Sequence, residues 1–351
     1  MKKGVHTVGK VRFGIVGMGI GRVQGNAVDR NPRGEVVALC DIVPERMDDY
    51  ARELGRDVKK YASYEEMCAD PEVDAVFVGV GNQLHVPVAM AAVRNGKHVL
   101  VTKPLSDSEE AAKELVEAAE ASGVVNMMSL STRFGSSVQY LGRLARRGEF
   151  GHLYYARALS VRRSGIPNWG LHFVSKGGGA FRDMGVHVLD AAWWIIGCPK
   201  PTKVEGVAGA HFGPRGVGYW DFAPGSPELA QAFQADDFGA GIIRFDNGAA
   251  ILVESHWASH QPEEFQIELF GTEAGARLHP LTIFRTQDGA PADTAIRPPE
   301  IDGFAGVADH FISCVLDGTP CDAPLRHGLI VQQMMEAVLK SAETGQEVSL
   351  V

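Results

Sequence analysis

Short apolar runs rich in β-branched residues alternate with amphipathic stretches through the first third of the chain. Val11–Val16 is the first run; residues 35–40 and 75–80, His98–Thr102 and residues 124–130 follow. Between them Pro44–Leu54 and residues 85–95 and 107–122 carry helical patterning, the last rich in Ala and Glu. Runs that are apolar at nearly every position suit strands buried on both faces, and strands separated by helices suit a parallel, doubly wound sheet. Such sheets bind ligands outside their C-terminal strand ends. Asp41, Gly81-Asn82 with His85, and Lys103 stand at those ends.

The alternation stops near residues 130–133, which predicts a boundary between a first domain, residues 1–131, and a second, residues 132–351. From residue 152 onward the runs lengthen. Leu153–Val161 and residues 203–212, 239–245, 249–256 and 265–270 read as strands joined by Gly, Pro and Asp turns, among them the hairpin signal Asp246-Asn247-Gly248. The pattern predicts an α/β chain: an N-terminal Rossmann-type parallel sheet, then a C-terminal α/β domain with a large, mostly antiparallel open sheet. An apolar sheet face left over invites self-association, so a homo-oligomer is expected, dimer or tetramer left open.

The first strand runs into Gly17-Met18-Gly19-Ile20-Gly21-Arg22, and a helix-capable segment follows. Strand, glycine turn and helix let backbone N–H groups approach a pyrophosphate. The second run ends at Asp41, twenty positions after Gly21, where a Rossmann unit places the acceptor for an adenosine ribose; Ile42 is next to it. Arg22 stands where the fingerprint has its third glycine. A carboxylate at position 41 repels a 2′-phosphate and so favours NAD, a preference that Arg22 or Arg46 could soften toward NADP.

Residues 177–197 carry the second chemical signal. Val186, Leu189, Trp193, Trp194 and Ile196 mark one face of a helix predicted from about Asp183 to Ile196, preceded by three glycines. Asp183 and His187, four residues apart, lie on one side of it and can reach one ligand atom. An imidazole exchanges a proton near neutral pH, and a neighbouring carboxylate orients it. An aspartate near a helix start is more commonly a cap and a histidine beside tryptophans a core residue, so the pair draws its chemical meaning from the rest of the chain. Lys103, followed by Pro104, leaves its strand extended and offers an ammonium at the sheet mouth. In the loop of residues 162–172, Arg162 and Trp169 are of the types that bind hydroxyls and stack on sugar faces.

Composition narrows the classes. A chain of 351 residues with 45% hydrophobic residues suits two cores. A formal net charge of -9 argues against nucleic acid, and the short basic cluster Arg143, Arg146, Arg147 reads as a solvated helix end. The first ten residues lack the features of a secretory signal, and no run reaches the ~20 apolar residues of a membrane span. The five cysteines include no Cys-x-x-Cys pair, so neither a disulfide framework nor a metal site is expected, and a reducing cytoplasmic location follows.

The glycine turn, Cys40-Asp41, Gly81-Asn82-Gln83-Leu84-His85, the segment Gly96-Lys97-His98-Val99-Leu100-Val101-Thr102-Lys103-Pro104, and residues 177–197 together resemble, in order and spacing, the glucose–fructose oxidoreductase/inositol dehydrogenase/rhizopine catabolism family. The likeness runs over nearly the whole chain, to its last helix at residues 325–345. It implies an NAD(P)-dependent dehydrogenase acting on a ring hydroxyl of a sugar or cyclitol. It assigns Lys103, Asp183 and His187 as catalytic, and Gly17, Gly19, Ile20, Gly21, Arg22, Asp41, Ile42, Gly81, Asn82, His85 and Lys103 to the cofactor. Lys103, Arg162, Trp169, Asp183 and His187 are expected to touch substrate. Thr102 departs from the family's Glu before that lysine. A glycosidase or lyase with retained NAD, and a non-enzymatic dinucleotide or sugar sensor, are the alternatives.

Overall fold

The computed structural model describes residues 9–350, so the reading of the first ten residues falls almost wholly outside them. The chain divides into two compact units, Met1–Phe134 with Ile301–Leu329, and Gly135–Glu300 with Ile330–Val351.

In the first unit, β1 (Val11–Val16), β2 (Gly34–Cys40), β3 (Lys59–Tyr61), β4 (Ala75–Val78), β5 (His98–Thr102) and β6 (Asn126–Ser129) form one parallel sheet in the order β3-β2-β1-β4-β5-β6. That is the doubly wound order, and its reversal between β1 and β4 is the point at which such sheets bind dinucleotides. The central strands are apolar because both faces are covered: Ala75 through Val78 have no exposed surface. The helices α1 (Ile20–Arg30), α2 (Pro44–Leu54), α3 (Tyr64–Ala69), α4 (Asn82–Arg94) and α5 (Glu109–Ser122) begin and end where local chemistry directs. Pro44 opens α2 and left-handed Gly55 closes it. Ser63 caps two N–H groups of α3, and Ser108 caps α5, which ends at left-handed Gly123.

A single cut near residue 131 misses one segment. The helix Gly303–Asp317 belongs to the first unit, where Phe311 packs on Phe13 at 5.5 Å between ring centroids and Arg33 reaches Ser313 Oγ and Asp317 Oδ2, both at 2.7 Å. The chain returns there because an apolar edge of the first core needs covering, a tertiary demand with no local signature.

In the second unit, α6 (Ser136–Arg146) precedes β7 (Leu153–Val161), the one-turn α7 (Leu171–Val174) and α8 (Val186–Ile195). Then come β8 (Pro201–Gly209), α9 (Pro227–Gln231), β9 (Phe238–Phe245), β10 (Ala250–His256), β11 (Glu264–Gly271), β12 (Gly275–Arg277), β13 (Thr282–Gln287), β14 (Ala290–Ala295) and β15 (Val348–Ser349). They make a nine-stranded sheet in the order β14-β13-β12-β11-β7-β10-β9-β8-β15, antiparallel except for the pairing of β7 with β10. The Asp246-Asn247-Gly248 turn joins β9 to β10 as predicted, with Gly248 at φ 85. The α8 helix packs against this sheet, and its Trp194 lies under the Arg146 guanidinium at 4.7 Å. No helix among the described residues is long and apolar enough to cross a membrane.

Candidate active site

In the first unit the glycine turn is built by close approach. Gly17 sits at φ 87, and a Cβ there would collide with the Gly79 carbonyl, so only glycine lets β1 turn against its neighbour. A Cβ on Gly21 would press into Ile15 at 2.8 Å, and one on Gly25 would meet the Tyr50 ring. Helix-to-sheet closeness, the job of the missing third glycine, therefore falls to Gly21, while Gly25 lets α1 approach Tyr50 of the neighbouring α2. Arg22 is free to be large; it pairs with Glu53 and lies over the Tyr50 ring at 5.9 Å. Gly19 and Gly81 face open space, and neither α1, which begins at Ile20, nor α4, which begins at Asn82, has a side-chain cap. The Arg22 and Leu84 N–H groups turn back onto the Gly19 and Gly81 carbonyls, at 3.2 and 2.8 Å, which leaves the earlier N–H groups, at Ile20 and Gly21 and at Asn82 and Gln83, to meet an anion.

Asp41 is buried at the end of β2 and accepts from Met18 N–H at 2.7 Å through Oδ2 and from Val43 N–H at 2.9 Å through Oδ1. Two fixed bonds orient the carboxylate, and the remaining lone pairs can take a pair of ribose hydroxyls. Beside it, Ile42 is 92% exposed, an apolar surface of the kind a purine covers. These residues fit a dinucleotide: a tight turn, uncapped helix starts, an oriented carboxylate and an apolar shelf.

His85 plays a different part. It is fully buried, with Nδ1 2.6 Å from the Pro104 carbonyl oxygen and Nε2 3.0 Å from that of Val80, and burial holds its pKa below the ordinary value against the pull of both carbonyls. It ties the loop after β4 to the one after β5, which carries Lys103 at its start, and Thr102 just before Lys103 is itself buried.

The second unit holds Asp183 and His187. The predicted helix is two pieces: residues Phe181–Gly185 form a π turn, and α8 follows without a break. Single π turns recur at functional positions because they re-aim side chains. The turn has an unusual anchor. Asp236 Oδ2 accepts from Phe181 N–H at 2.8 Å, its carbonyl accepts from Ala180 N–H at 2.9 Å, and Ser255 Oγ donates to the Ala180 carbonyl at 2.8 Å. Burial pushes the Asp236 carboxyl up to about 6, opposed by the Phe181 N–H and Arg182.

Every residue of α8 is buried except His187, and on the π turn Arg182, Asp183 and Met184 are partly open. His187 is thus the one position of α8 that opens outward, since the helix's other ionisable residue, Asp190, is buried. The Trp257 indole N–H donates to Asp183 Oδ2 at 3.1 Å. Arg162 is close enough to feel the Asp183 charge: burial pulls its guanidinium below the ordinary pKa while Asp183 raises it. The Arg162 guanidinium lies 4.8 Å over the Trp220 ring, and Trp220 meets Trp169 edge to face at 5.4 Å. Trp169, 58% exposed, also contacts Phe173 at 5.9 Å. Asp183, Arg162 and Trp169 are therefore linked within one unit, through Trp220. Asp236 and Trp220 escaped the sequence reading. A carboxylate 55 positions from the amide it caps leaves no local trace, and Trp220 lies in a Gly- and Pro-rich stretch with no periodicity to mark it.

Residues 11–130 match a family described as "Oxidoreductase family, NAD-binding Rossmann fold", and residues 138–277 match "GFO/IDH/MocA C-terminal domain". The D-glucoside 3-dehydrogenase of Escherichia coli (strain K12) is 28% identical, covering 99% of this chain and 100% of that protein. The 1,5-anhydro-D-fructose reductase of Ensifer adhaerens is 33% identical over 75% of this chain and 74% of its own length. Among solved structures, an NAD binding oxidoreductase from Klebsiella pneumoniae superposes with a TM-score of 0.85 at 22% identity, over 97% of this chain and 99% of that one.

Proposed function

Because the chain belongs to the glucose–fructose oxidoreductase/inositol dehydrogenase/rhizopine catabolism family and is an NAD(P)-dependent oxidoreductase, we propose that it oxidises one ring hydroxyl of a sugar or glycoside, with cyclitols as the neighbouring class. The observation that carries the reading is the one opening in α8. There His187 alone is uncovered, one helical turn from an Asp183 that Trp257 holds in place, beside an arginine and two exposed tryptophans.

A nicotinamide cofactor, bound at the glycine turn, supplies the hydride acceptor. His187 takes the hydroxyl proton on an imidazole nitrogen as the carbon–oxygen bond becomes a carbonyl, and Asp183 orients that hydroxyl by accepting from it or a neighbour. Lys103, just past the end of β5 in the first unit, offers an ammonium of the kind that stabilises negative charge developing on an oxygen. Trp169 offers its face to the C–H side of a pyranose ring, and Arg162 donates to its hydroxyls. Asp41, acting on the adenosine ribose, selects NAD over NADP. The uncovered sheet face of the second unit, with Tyr154, Val207 and Phe284 exposed, is the surface through which the chain self-associates.

The test is a screen of the purified protein against glucosides, free sugars and inositols with NAD and NADP in parallel, following reduced nicotinamide by absorbance. Turnover with NAD on a glycoside or sugar supports the reading. Turnover of a glycoside without net reduced cofactor would replace it with retained-cofactor hydrolysis, and no turnover on any ring polyol would sink it.

A further inference from the structure

A cluster that the dehydrogenase reading leaves unused lies at the end of the helix Gly303–Asp317 in the first unit. His310 and Cys314, one helical turn apart, meet Cys321 from the following loop, with ligand atoms of all three within 4.8 Å of one another. The helix stops at left-handed Gly318, and residues 316–320 are exposed, so Cys321 is carried by a surface loop whose far end is tied to β6. That tie is firm: Met128 N–H donates to the Ala323 carbonyl at 2.9 Å and Leu325 N–H to Asn126 Oδ1 at 3.1 Å. Cys314 is buried and Cys321 partly exposed.

The hydrogen bonding distinguishes a redox pair from a metal site. His310 Nε2 accepts from Asp322 N–H at 2.8 Å, so the neutral ring keeps its proton on Nδ1 and has no second lone pair to give a metal. A ring with that proton stabilises a thiolate instead. The Cys314 thiol donates toward Cys321, and the His310 side chain is a second hydrogen-bond partner of Cys321. When protonated, Cys321 donates to the Asn126 carbonyl at 3.7 Å. These contacts hold the Cys321 thiol below its ordinary pKa and push Cys314 up. Cys40 and Cys68, by contrast, are driven up to about 11 and about 12 by burial.

We propose that Cys321 and Cys314 are a peroxide-reactive thiol pair that closes reversibly into a disulfide. The Cys321 thiolate sulfur attacks one oxygen of hydrogen peroxide; a sulfur–oxygen bond forms as the oxygen–oxygen bond breaks, giving a sulfenic acid and hydroxide, which takes a proton from solvent. The Cys314 sulfur then attacks Cys321 Sγ, the sulfur–sulfur bond replaces the sulfur–oxygen bond, and the Cys314 proton leaves with the departing hydroxide as water. Peroxide is reduced to water, and each sulfur ends one electron more oxidised.

The reduced full-length protein is treated with equimolar hydrogen peroxide and mapped by mass spectrometry. The expected product lacks two hydrogen atoms, links the peptides of residues 314 and 321, and is reversed by dithiothreitol. In Cys314→Ala, dimedone traps Cys321 at least about ten-fold faster than the partly exposed Cys198, and His310→Gln slows that trapping by about the same factor. Alkylation of Cys321 by iodoacetamide rises with pH through a midpoint below that of an ordinary thiol. Modification of Cys198 before Cys321, a wild-type chain without the 314–321 linkage, or a stoichiometric zinc ion shielding both thiols from alkylation would each overturn the proposal. The wild-type map needs no variant, so a variant that fails to fold leaves the test standing.

Discussion

The Trp257 indole N–H points at Asp183 and donates to its Oδ2 across 3.1 Å, from a side chain with no exposed surface. A buried donor aimed at a partly open carboxylate fixes where that carboxylate presents its other lone pairs. Trp257→Phe keeps most of the packing and removes the donor. A hydrogen bond to a charged group is worth about 1.5–3 kcal/mol, so kcat/KM should fall by about 10- to 100-fold while the far-UV spectrum is unchanged. Full activity in the variant would show that Asp183 is placed by something else.

The proton-transfer role proposed for His187 is separable from the titration of Asp236, which lies nearby in the second unit and is raised to about 6. Both could bend a pH–rate profile near neutrality. His187→Ala should lower kcat by about 10²- to 10⁴-fold and erase the limb, whereas Asp236→Asn should keep the limb and lower kcat only through the π turn it anchors. A limb that vanishes in Asp236→Asn and persists in His187→Ala would reverse the assignment.

Asp41 makes a prediction about cofactor choice. Its two oxygens each accept a backbone N–H, and Asn at this position would turn its NH2 toward one of those donors. Kinetics with both cofactors should show kcat/KM for NAD falling by about 10- to 100-fold and that for NADP falling less, since the charge facing a 2′-phosphate is gone. An unchanged ratio between the two would mean that Asp41 serves the loop alone.

The legibility of these parts in the sequence follows from how local their causes are. The strands of the first unit are read as apolar runs because both faces are buried, and Pro44–Leu54 and His98–Thr102 begin and end at the predicted residues because Pro, Gly or a turn punctuates them. Asp183 and His187 are legible as a spacing, but the π turn beneath them is not, since it rests on Asp236 and Ser255 from distant segments. The strands β13 and β14 are exposed along most of their length and carry no alternation to read. The helix Gly303–Asp317 has a clear apolar face, but which unit that face serves is decided by Phe13, some three hundred positions earlier.

Asp236 also sets a stability prediction whose sign is fixed by the direction of its shift. Burial, assisted by the nearby Asp237 charge and opposed by the Phe181 N–H and Arg182, raises its carboxyl from 3.8 to about 6, so the folded chain binds the proton more tightly than the unfolded chain does. A raised pKa contributes stability that is complete below the unfolded value and is lost as pH climbs through the folded one. Between pH about 4 and about 6 the wild type should therefore lose ~2 kcal/mol, and ~3 kcal/mol over the whole titration, that Asp236→Asn, which has no proton to release, does not lose. His327, held down to about 4 by burial and Arg133, titrates with the opposite sign over part of this range, so the difference between wild type and variant is the quantity to follow. Urea unfolding at intervals across that window should show the difference shrinking as pH rises and levelling off above neutrality. A difference independent of pH would mean that Asp236 is ionised at every pH tested and that its carboxylate, not its acid, caps the turn.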